Sequence, residues 1–282
     1  MRRTLDGWTG GIKVGGQLIS NLRYADDTTL LARSEAELAD AFRRIERESE
    51  ILGLKINRSK TKLMIVDREG GTARTGELHD LEQVHDFVYL GSVVSDNGGC
   101  KEELGRRIQM GKQAMTRLDK IWRDRGISRC TKVRLVKSLV FSVFLYGVET
   151  WTMKSYERAR IDAFEMWCWR KLLRIPWTAH RTNVSILQEL QIKTRLSVVC
   201  LKRVLGLFGH IVRREPDNLE RTILFGGVEG KRARGRIPTR WTDQIREVTG
   251  GSLYEAAERA RDRVEWRYVI DQWGLDNHDP QH

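Results

Sequence analysis

Tyr24-Ala25-Asp26-Asp27, preceded by Asn21-Leu22-Arg23 and followed by Thr28-Thr29-Leu30-Leu31-Ala32, is the stretch on which the reading of this chain turns. Two short runs of strand-forming residues flank a pair of carboxylates, which predicts a hairpin with Asp26 and Asp27 at its tip. Just upstream, Gly11-Ile12-Lys13-Val14 and Gln17-Leu18-Ile19 flank Gly15-Gly16, a two-residue turn that suits another hairpin. Downstream, Ser34 offers a helix N-cap with Glu35 and Glu37 in the first turn. Leu38, Phe42, Ile45, Ser49 and Leu52 then keep helical spacing until Gly53 ends it. Residues 61–66 and 87–94 read as further strands.

After Asp96-Asn97-Gly98-Gly99 the apolar period becomes helical and stays so. Leu104, Ile108, Met115, Leu118 and Trp122 line one face of a long helix that Gly126 breaks. A second helix is predicted over 131–151, and a third over 156–173 that stops before Pro176. Shorter helical stretches follow over 184–190, 194–213, 239–248 and 253–273, around a Gly- and Arg-rich loop at 226–240. The fold class is therefore α+β. Residues 1–98 form a β-hairpin and helix unit, 99–177 a helical unit, and 178–282 a basic, mainly helical tail.

Fifty Lys and Arg against thirty-eight Asp and Glu leave 282 residues with a net charge of +12. That excess favours a polyanionic partner, nucleic acid first, over a merely basic protein. No run approaches the roughly 20 apolar residues that span a bilayer. Met1-Arg2-Arg3-Thr4-Leu5-Asp6-Gly7 has no apolar core of the kind a signal peptide needs. Cys100, Cys130, Cys168 and Cys200 are scattered, with no C-x-x-C pair, so neither a disulfide framework nor a zinc signature is read from them. Cys168, Cys200, His180 and His210 lack the tight spacing of a metal knuckle. Expected is a nuclear or cytoplasmic protein, neither secreted nor membrane-bound.

Paired aspartates at a strand turn are what two-metal phosphoryl transfer requires. Rigid carboxylate oxygens must hold two Mg²⁺ ions about 3.5–4 Å apart, and Mg²⁺ takes few protein ligands, mostly carboxylates. One ion activates the attacking 3′-hydroxyl and the other neutralises the leaving pyrophosphate. The competing reading is an Asx turn, for which Asp is a common residue. Context decides between them.

That context resembles the third catalytic motif of reverse transcriptases. Gly53-Leu54-Lys55-Ile56-Asn57-Arg58-Ser59-Lys60-Thr61-Lys62 is similar to the family's next motif, and Phe87-Val88-Tyr89-Leu90-Gly91 to the one after, a hairpin that grips the primer. Phe144-Leu145-Tyr146-Gly147, Glu149-Thr150-Trp151 and Arg174-Ile175-Pro176-Trp177 look like the thumb and post-thumb region of non-LTR (LINE-type) retrotransposons, jockey- and RTE-like clades nearest. Gly209-His210-Ile211-Val212-Arg213-Arg214 and Gly235-Arg236-Ile237-Pro238…Trp241 look like their C-terminal sequences, so the resemblance runs through nearly the whole chain.

The resemblance implies an RNA-directed DNA polymerase using Mg²⁺, deoxynucleotide triphosphates, an RNA template and a DNA primer. Asp26 would be the metal ligand and Asp27 its less direct partner. Tyr24 would lie near the primer terminus, and Lys60 near the nucleotide phosphates, unless Lys60 is a plain surface lysine. Tyr89, Leu90 and Gly91 would position the primer backbone. Residues 101–140 carry twelve Lys and Arg against four Asp and Glu, a net +8. This charge lets Arg106, Arg107, Lys112, Arg117, Lys120 and Arg123 track a nucleic-acid backbone.

Two further features stay open on sequence alone. Trp167, Trp169 and Trp177 could stack on bases, though their apolar helix favours core packing. Lys231-Arg232-Ala233-Arg234-Gly235-Arg236 is a nucleic-acid arm, a nuclear-import patch or a flexible linker. The family's earlier palm strand, which supplies another metal-binding aspartate, has no counterpart in the 23 residues before Tyr24, and Asp6 has the wrong setting. Neither the fingers nor an endonuclease domain is seen. The expectation is a C-terminal part of such an enzyme, Met1 being an internal methionine of a longer frame, inactive alone. A non-catalytic nucleic-acid-binding module and a functionless retroelement remnant are the alternatives.

Overall fold

The structure, a computed structural model, describes residue 5 and residues 7–67, 75–228 and 239–276. Asp6, the basic run Lys231 to Arg236 and the adjacent Ile237-Pro238 lie outside the described residues. The order begins β1 (Ile12–Val14), β2 (Gln17–Ile19), β3 (Asn21–Tyr24), β4 (Asp27–Leu30), α1 (Glu35–Ile51), β5 (Lys62–Leu63), β6 (Glu82–Gln83), β7 (Asp86–Tyr89) and β8 (Ser92–Ser95). Helices follow: α2 (Lys101–Arg117), α3 (Asp119–Arg123), α4 (Arg129–Leu135), a π-helical turn (Val136–Phe141), α5 (Ser142–Phe144) and α6 (Ser155–Leu173). The last are α7 (Asn183–Glu189), α8 (Leu196–Val212), α9 (Leu219–Phe225), α10 (Trp241–Thr249), α11 (Leu253–Arg261) and α12 (Arg263–Asp276). Small two-stranded sheets and many helices make this an α+β chain. The described residues of 1–87, 95–98 and 214–236 form one compact unit; those of 88–94, 99–213 and 237–282 form another.

In the first unit β1 and β2 pair antiparallel across Gly15-Gly16, with Val14 opposite Gln17. β3 and β4 pair with Tyr24 opposite Asp27, so Ala25 and Asp26 are the whole turn. Ala25 has φ 53. Positive φ at the first of two turn residues is the II′ pattern, a position glycine normally fills. The Ser34 hydroxyl caps α1, accepting from the Glu37 amide at 3.2 Å. Ala39, Ala41, Phe42, Ile45 and Ser49 form the buried face of that helix. Ala39 and Phe42 pack with Leu63, Leu78 and Leu81; Ala41 and Ile45 pack with Leu5. Leu30 of β4 touches both clusters and so moors the Asp26–Asp27 hairpin to α1. A distant segment returns to β1, where the Gly15 amide donates to the Gly227 carbonyl at 2.9 Å. Glycine is required beside it, because a Cβ on Gly226 would sit 2.4 Å from the Thr222 carbonyl oxygen.

In the second unit α6 is the central helix. Its Phe164 ring lies 5.2 Å from that of Phe144 and 6.2 Å from that of Phe141, and Trp169 meets Phe141 edge-on at 5.2 Å. Gly111 lets α2 approach, since a Cβ there would stand 2.5 Å from Phe164 Cζ. The next residue, Glu165, accepts from Arg195 Nε at 2.8 Å, the Leu196 amide at 3.2 Å and Trp169 Nε1 at 3.2 Å. Burial pushes the Glu165 carboxyl up, and the Arg195 guanidinium opposes it. Removing either partner would strand a buried charge, at about 3–5 kcal/mol. Buried Gln244 ties α10 in by accepting from the Met153 amide and donating to the Trp151 carbonyl, both at 2.9 Å. Trp266 of α12 closes on Gly209 of α8, its Nε1 donating to the Leu205 carbonyl at 2.9 Å.

Several boundaries differ from those predicted, each for a local reason. The run over 87–94 is a hairpin, not one strand, because Leu90 and Gly91 both take positive φ, 47 and 80. The helix expected to reach Trp122 breaks at Leu118, where Trp122 Nε1 takes the Met115 carbonyl at 2.7 Å. An unbroken helix would give that carbonyl to the residue 119 amide. The second long helix ends at Phe144, short of residue 151, and a turn follows in which Gly147 takes φ 72. The stretch over 253–273 divides at Asp262, whose Oδ1 accepts from the Val264 and Glu265 amides and starts α12 afresh. The strand over 61–66 shrinks to β5. Helix α9, with no buried residue, had no apolar period to announce it.

Relieving the left-handed alanine in Ala25→Gly should stabilise the first unit by about 1 kcal/mol, read as a raised urea midpoint. Two glycines of α8 should respond with opposite signs. Gly206 has open space for a methyl group, whereas a Cβ on Gly209 would lie 2.5 Å from the Trp266 ring. Gly206→Ala should therefore gain about 0.5–1 kcal/mol, and Gly209→Ala should lose about 1–3 kcal/mol through overpacking. Thermal melts of the two variants test this.

Candidate nucleic-acid interface

Asp26 is the second turn residue and Asp27 the first residue of β4; both are exposed. Tyr24, opposite Asp27, is 65% exposed. The four-residue pairing of β3 with β4 fixes the direction of both carboxylates, and Leu30 anchors the far end of the hairpin in the core. The tip thus presents two adjacent carboxylates and a phenol to solvent. Among the described residues no group of three or more His, Cys, Asp or Glu side chains is placed to hold a metal ion.

Lys60 belongs to the same unit and is exposed in the turn after α1. Asn57 shapes that turn: its Oδ1 accepts from the Ser59 hydroxyl at 2.7 Å and the Lys60 amide at 3.1 Å. Arg58 holds the turn against α1 through Glu46, at 2.5 Å, and also pairs with Asp80. Among the described residues the Lys60 ammonium makes no ion pair.

Tyr89, Leu90 and Gly91 lie in the second unit, at the tip of the β7–β8 hairpin. Helix α2 clamps this tip. Arg106 Nη1 donates to the Gly91 carbonyl at 3.0 Å, and Arg107 donates to the same oxygen. Tyr146 Oη donates to the Leu90 carbonyl at 2.9 Å, and the Arg107 guanidinium lies 4.6 Å from the Tyr146 ring centroid. Glu103 organises the set, accepting from Arg107 Nε at 2.5 Å, Arg106 Nη1 at 3.2 Å and the Val93 amide at 2.9 Å. These bonds hold Leu90 in a left-handed conformation that costs about 1–2 kcal/mol unsupported.

The six cations singled out on α2 and α3 therefore divide. Arg107 is 4% exposed and spends its donors on Glu103, Gly91 and Val143. Arg106 is half-buried and shares the clamp. Arg123 is exposed but paired with Asp119 at 2.7 Å. Arg117 and Lys120 are exposed, and Lys112 lies over the Trp167 ring, 5.6 Å from its centroid. Lys132, counted in the same basic excess, is buried and donates to the Trp122 and Asp124 carbonyls, closing the end of α3. Glu103 and Tyr146 are the members of the clamp that charge counting passed over. The spacing of Glu103 four residues before Arg107 was the available signal.

Of the tryptophans, Trp169 is fully buried, and Trp167 is half-buried on the same helix. Cys168 and Cys200 are buried core residues, and burial pushes both thiols up. Among the described residues no helix is long and apolar enough to cross a membrane.

No family model and no solved structure matches the chain. Over 280 residues it is 29% identical to a Caenorhabditis elegans protein described as uncharacterized and transposon-derived, a similarity that takes in 92% of this chain and 98% of that relative.

Proposed function

We infer that this chain derives from a transposable element and carries the Asp-Asp hairpin and thumb of a LINE-type reverse transcriptase. On this reading it binds primer–template but does not extend it alone. The observation that carries the inference is the pair Asp26 and Asp27, exposed at a two-residue turn between paired strands. The similarity to a transposon-derived protein over most of both chains supports it.

Asp26, aimed outward from the turn, would coordinate a divalent cation directly, with Asp27 adjusting its position. Mg²⁺ held there would supply positive charge to nucleotide phosphates. Tyr24 would pack beside the primer terminus, and Lys60 would offer an ammonium to phosphate oxygens. Among the described residues no third carboxylate joins the pair, which leaves the geometry of a two-metal centre undetermined and is why extension is not expected. The hairpin tip at Leu90-Gly91, rigidified by Glu103, Arg106, Arg107 and Tyr146, would steer the primer backbone. Lys112, Arg117 and Lys120 would follow the duplex by charge alone. A second reading, a binding module with no catalytic history, draws on the same cations.

Binding to a labelled RNA-template/DNA-primer duplex should weaken steeply with salt. Replacing Lys112, Arg117 and Lys120 with Gln should lower the slope of log K against log salt by roughly 2 to 3. No extension is expected with Mg²⁺ or Mn²⁺ and all four deoxynucleotides, and Asp26→Ala should bind as tightly as the parent. Template-dependent product that disappears in Asp26→Ala would overturn the inactivity. Absence of binding at low salt would overturn the nucleic-acid reading altogether.

A further inference from the structure

Helices α2 and α6 lie side by side, and one edge of their contact is cationic with a single aromatic in it. Gly105 of α2 faces the Arg160 guanidinium, 3.9 Å from where a Cβ would be. Seven residues further along both helices, Lys112 Nζ lies 5.6 Å from the Trp167 ring centroid. Lys171, four residues on, places its Nζ 5.5 Å from the same centroid. The indole is nearly parallel to the Phe164 ring, at 18° and 6.5 Å between centroids, which fixes its plane against the core. Trp167 keeps part of its surface in solvent, whereas Trp122, Trp151, Trp169 and Trp266 are buried.

The acids of these helices serve elsewhere. Glu157 accepts from the Lys154 amide and the Tyr156 hydroxyl, Asp162 from Ser197, Glu165 from Arg195, and Glu103 from the hairpin clamp. Glu102 is ten residues before Lys112, about 15 Å of helix away. Among the described residues, Arg160, Lys112 and Lys171 make no ion pair. Two ammoniums over one indole repel each other, and each cation–π contact at an exposed site is weak. The seam thus holds three uncompensated positive charges around a pre-oriented aromatic face.

We propose that this seam is a binding site for single-stranded nucleic acid, with Trp167 stacking one unpaired base and Lys112, Lys171 and Arg160 taking the flanking phosphates. A phosphate chain matches the charge, and a base matches the indole once the lysines swing from over the ring to the phosphates on either side. A duplex matches the charge alone, because its base faces are stacked on one another. The proposal rests on the nucleic-acid reading above and adds a site and a strand form to it.

The test uses the full chain and a fluorescein-labelled oligothymidylate, followed by fluorescence anisotropy between about 50 and 200 mM salt. Trp167→Leu should weaken binding about tenfold with the salt slope unchanged, and Trp167→Phe should recover most of the affinity. Lys112→Gln with Lys171→Gln should instead lower the slope by about 1.4. Wild-type affinity in Trp167→Leu would overturn the stacking role, as would equal losses in the Leu and Phe variants. An unchanged slope in the double lysine variant, or an equal loss of blunt-duplex affinity in Trp167→Leu, would overturn the site. If Trp167→Leu melts early, the salt slope of the lysine variant still decides. Should the chain bind primer–template while Trp167→Leu behaves as wild type, only this site fails; if it binds no nucleic acid, the broader reading fails with it.

Discussion

The second unit depends on two adjacent buried residues of α6 that engage different partners. Phe164 enters the notch at Gly111 and brings α2 within backbone reach, while Glu165 takes Arg195 and the Leu196 amide and so fixes the start of α8. One contact is a steric fit with no room for a methyl group; the other is a buried ion pair whose remaining acceptor capacity meets Trp169. Each is intolerant of displacement, because interiors are packed too densely to absorb an extra atom and too dry to leave a charge alone. Everything proposed for α2 follows from that placement, including the clamp on Gly91 and the line of cations beside Trp167.

The two candidate hairpins show two ways of holding an unfavourable turn. At Leu90-Gly91 the cost of positive φ at a leucine is offset by side chains: the carbonyls of both turn residues accept from Tyr146, Arg106 and Arg107. At Ala25-Asp26 no side-chain hydrogen bond to residues 24–27 occurs among the described residues. That turn is maintained by strand pairing on one side and by Leu30 in the core on the other. An unsupported left-handed alanine at an exposed carboxylate pair is the kind of strain found where a site's geometry matters more than its stability.

Basic residues crowd the segment 101–140, yet they do not act alike. Lys132 and Arg107 became structural donors, Lys132 to backbone carbonyls at a helix end and Arg107 to one at a hairpin tip. Arg117 and Lys120 remained exposed, and Lys112 is half-buried over the Trp167 ring. A charge count treats all of them as equivalent, so it overstates the surface available to a polyanion.

By itself the sequence determined the local elements whose causes are local. The Ser34 cap, the Gly15-Gly16 turn, the strand–turn–strand around Asp26 and Asp27, the basic excess and the helical period after residue 100 all depend on neighbours within a few positions. Tertiary structure alone decided what contacts across long separations set. The helix break at Leu118 follows from an indole taking a carbonyl, the split of 87–94 from side chains on α2 and Tyr146, and the burial of Arg107 from Glu103 and Gly91. The Asp26–Asp27 hairpin shows both sides. Its turn could be read from adjacent residues, but its anchoring through Leu30 depends on a core assembled from residues 5 to 81, which no periodicity near the turn encodes.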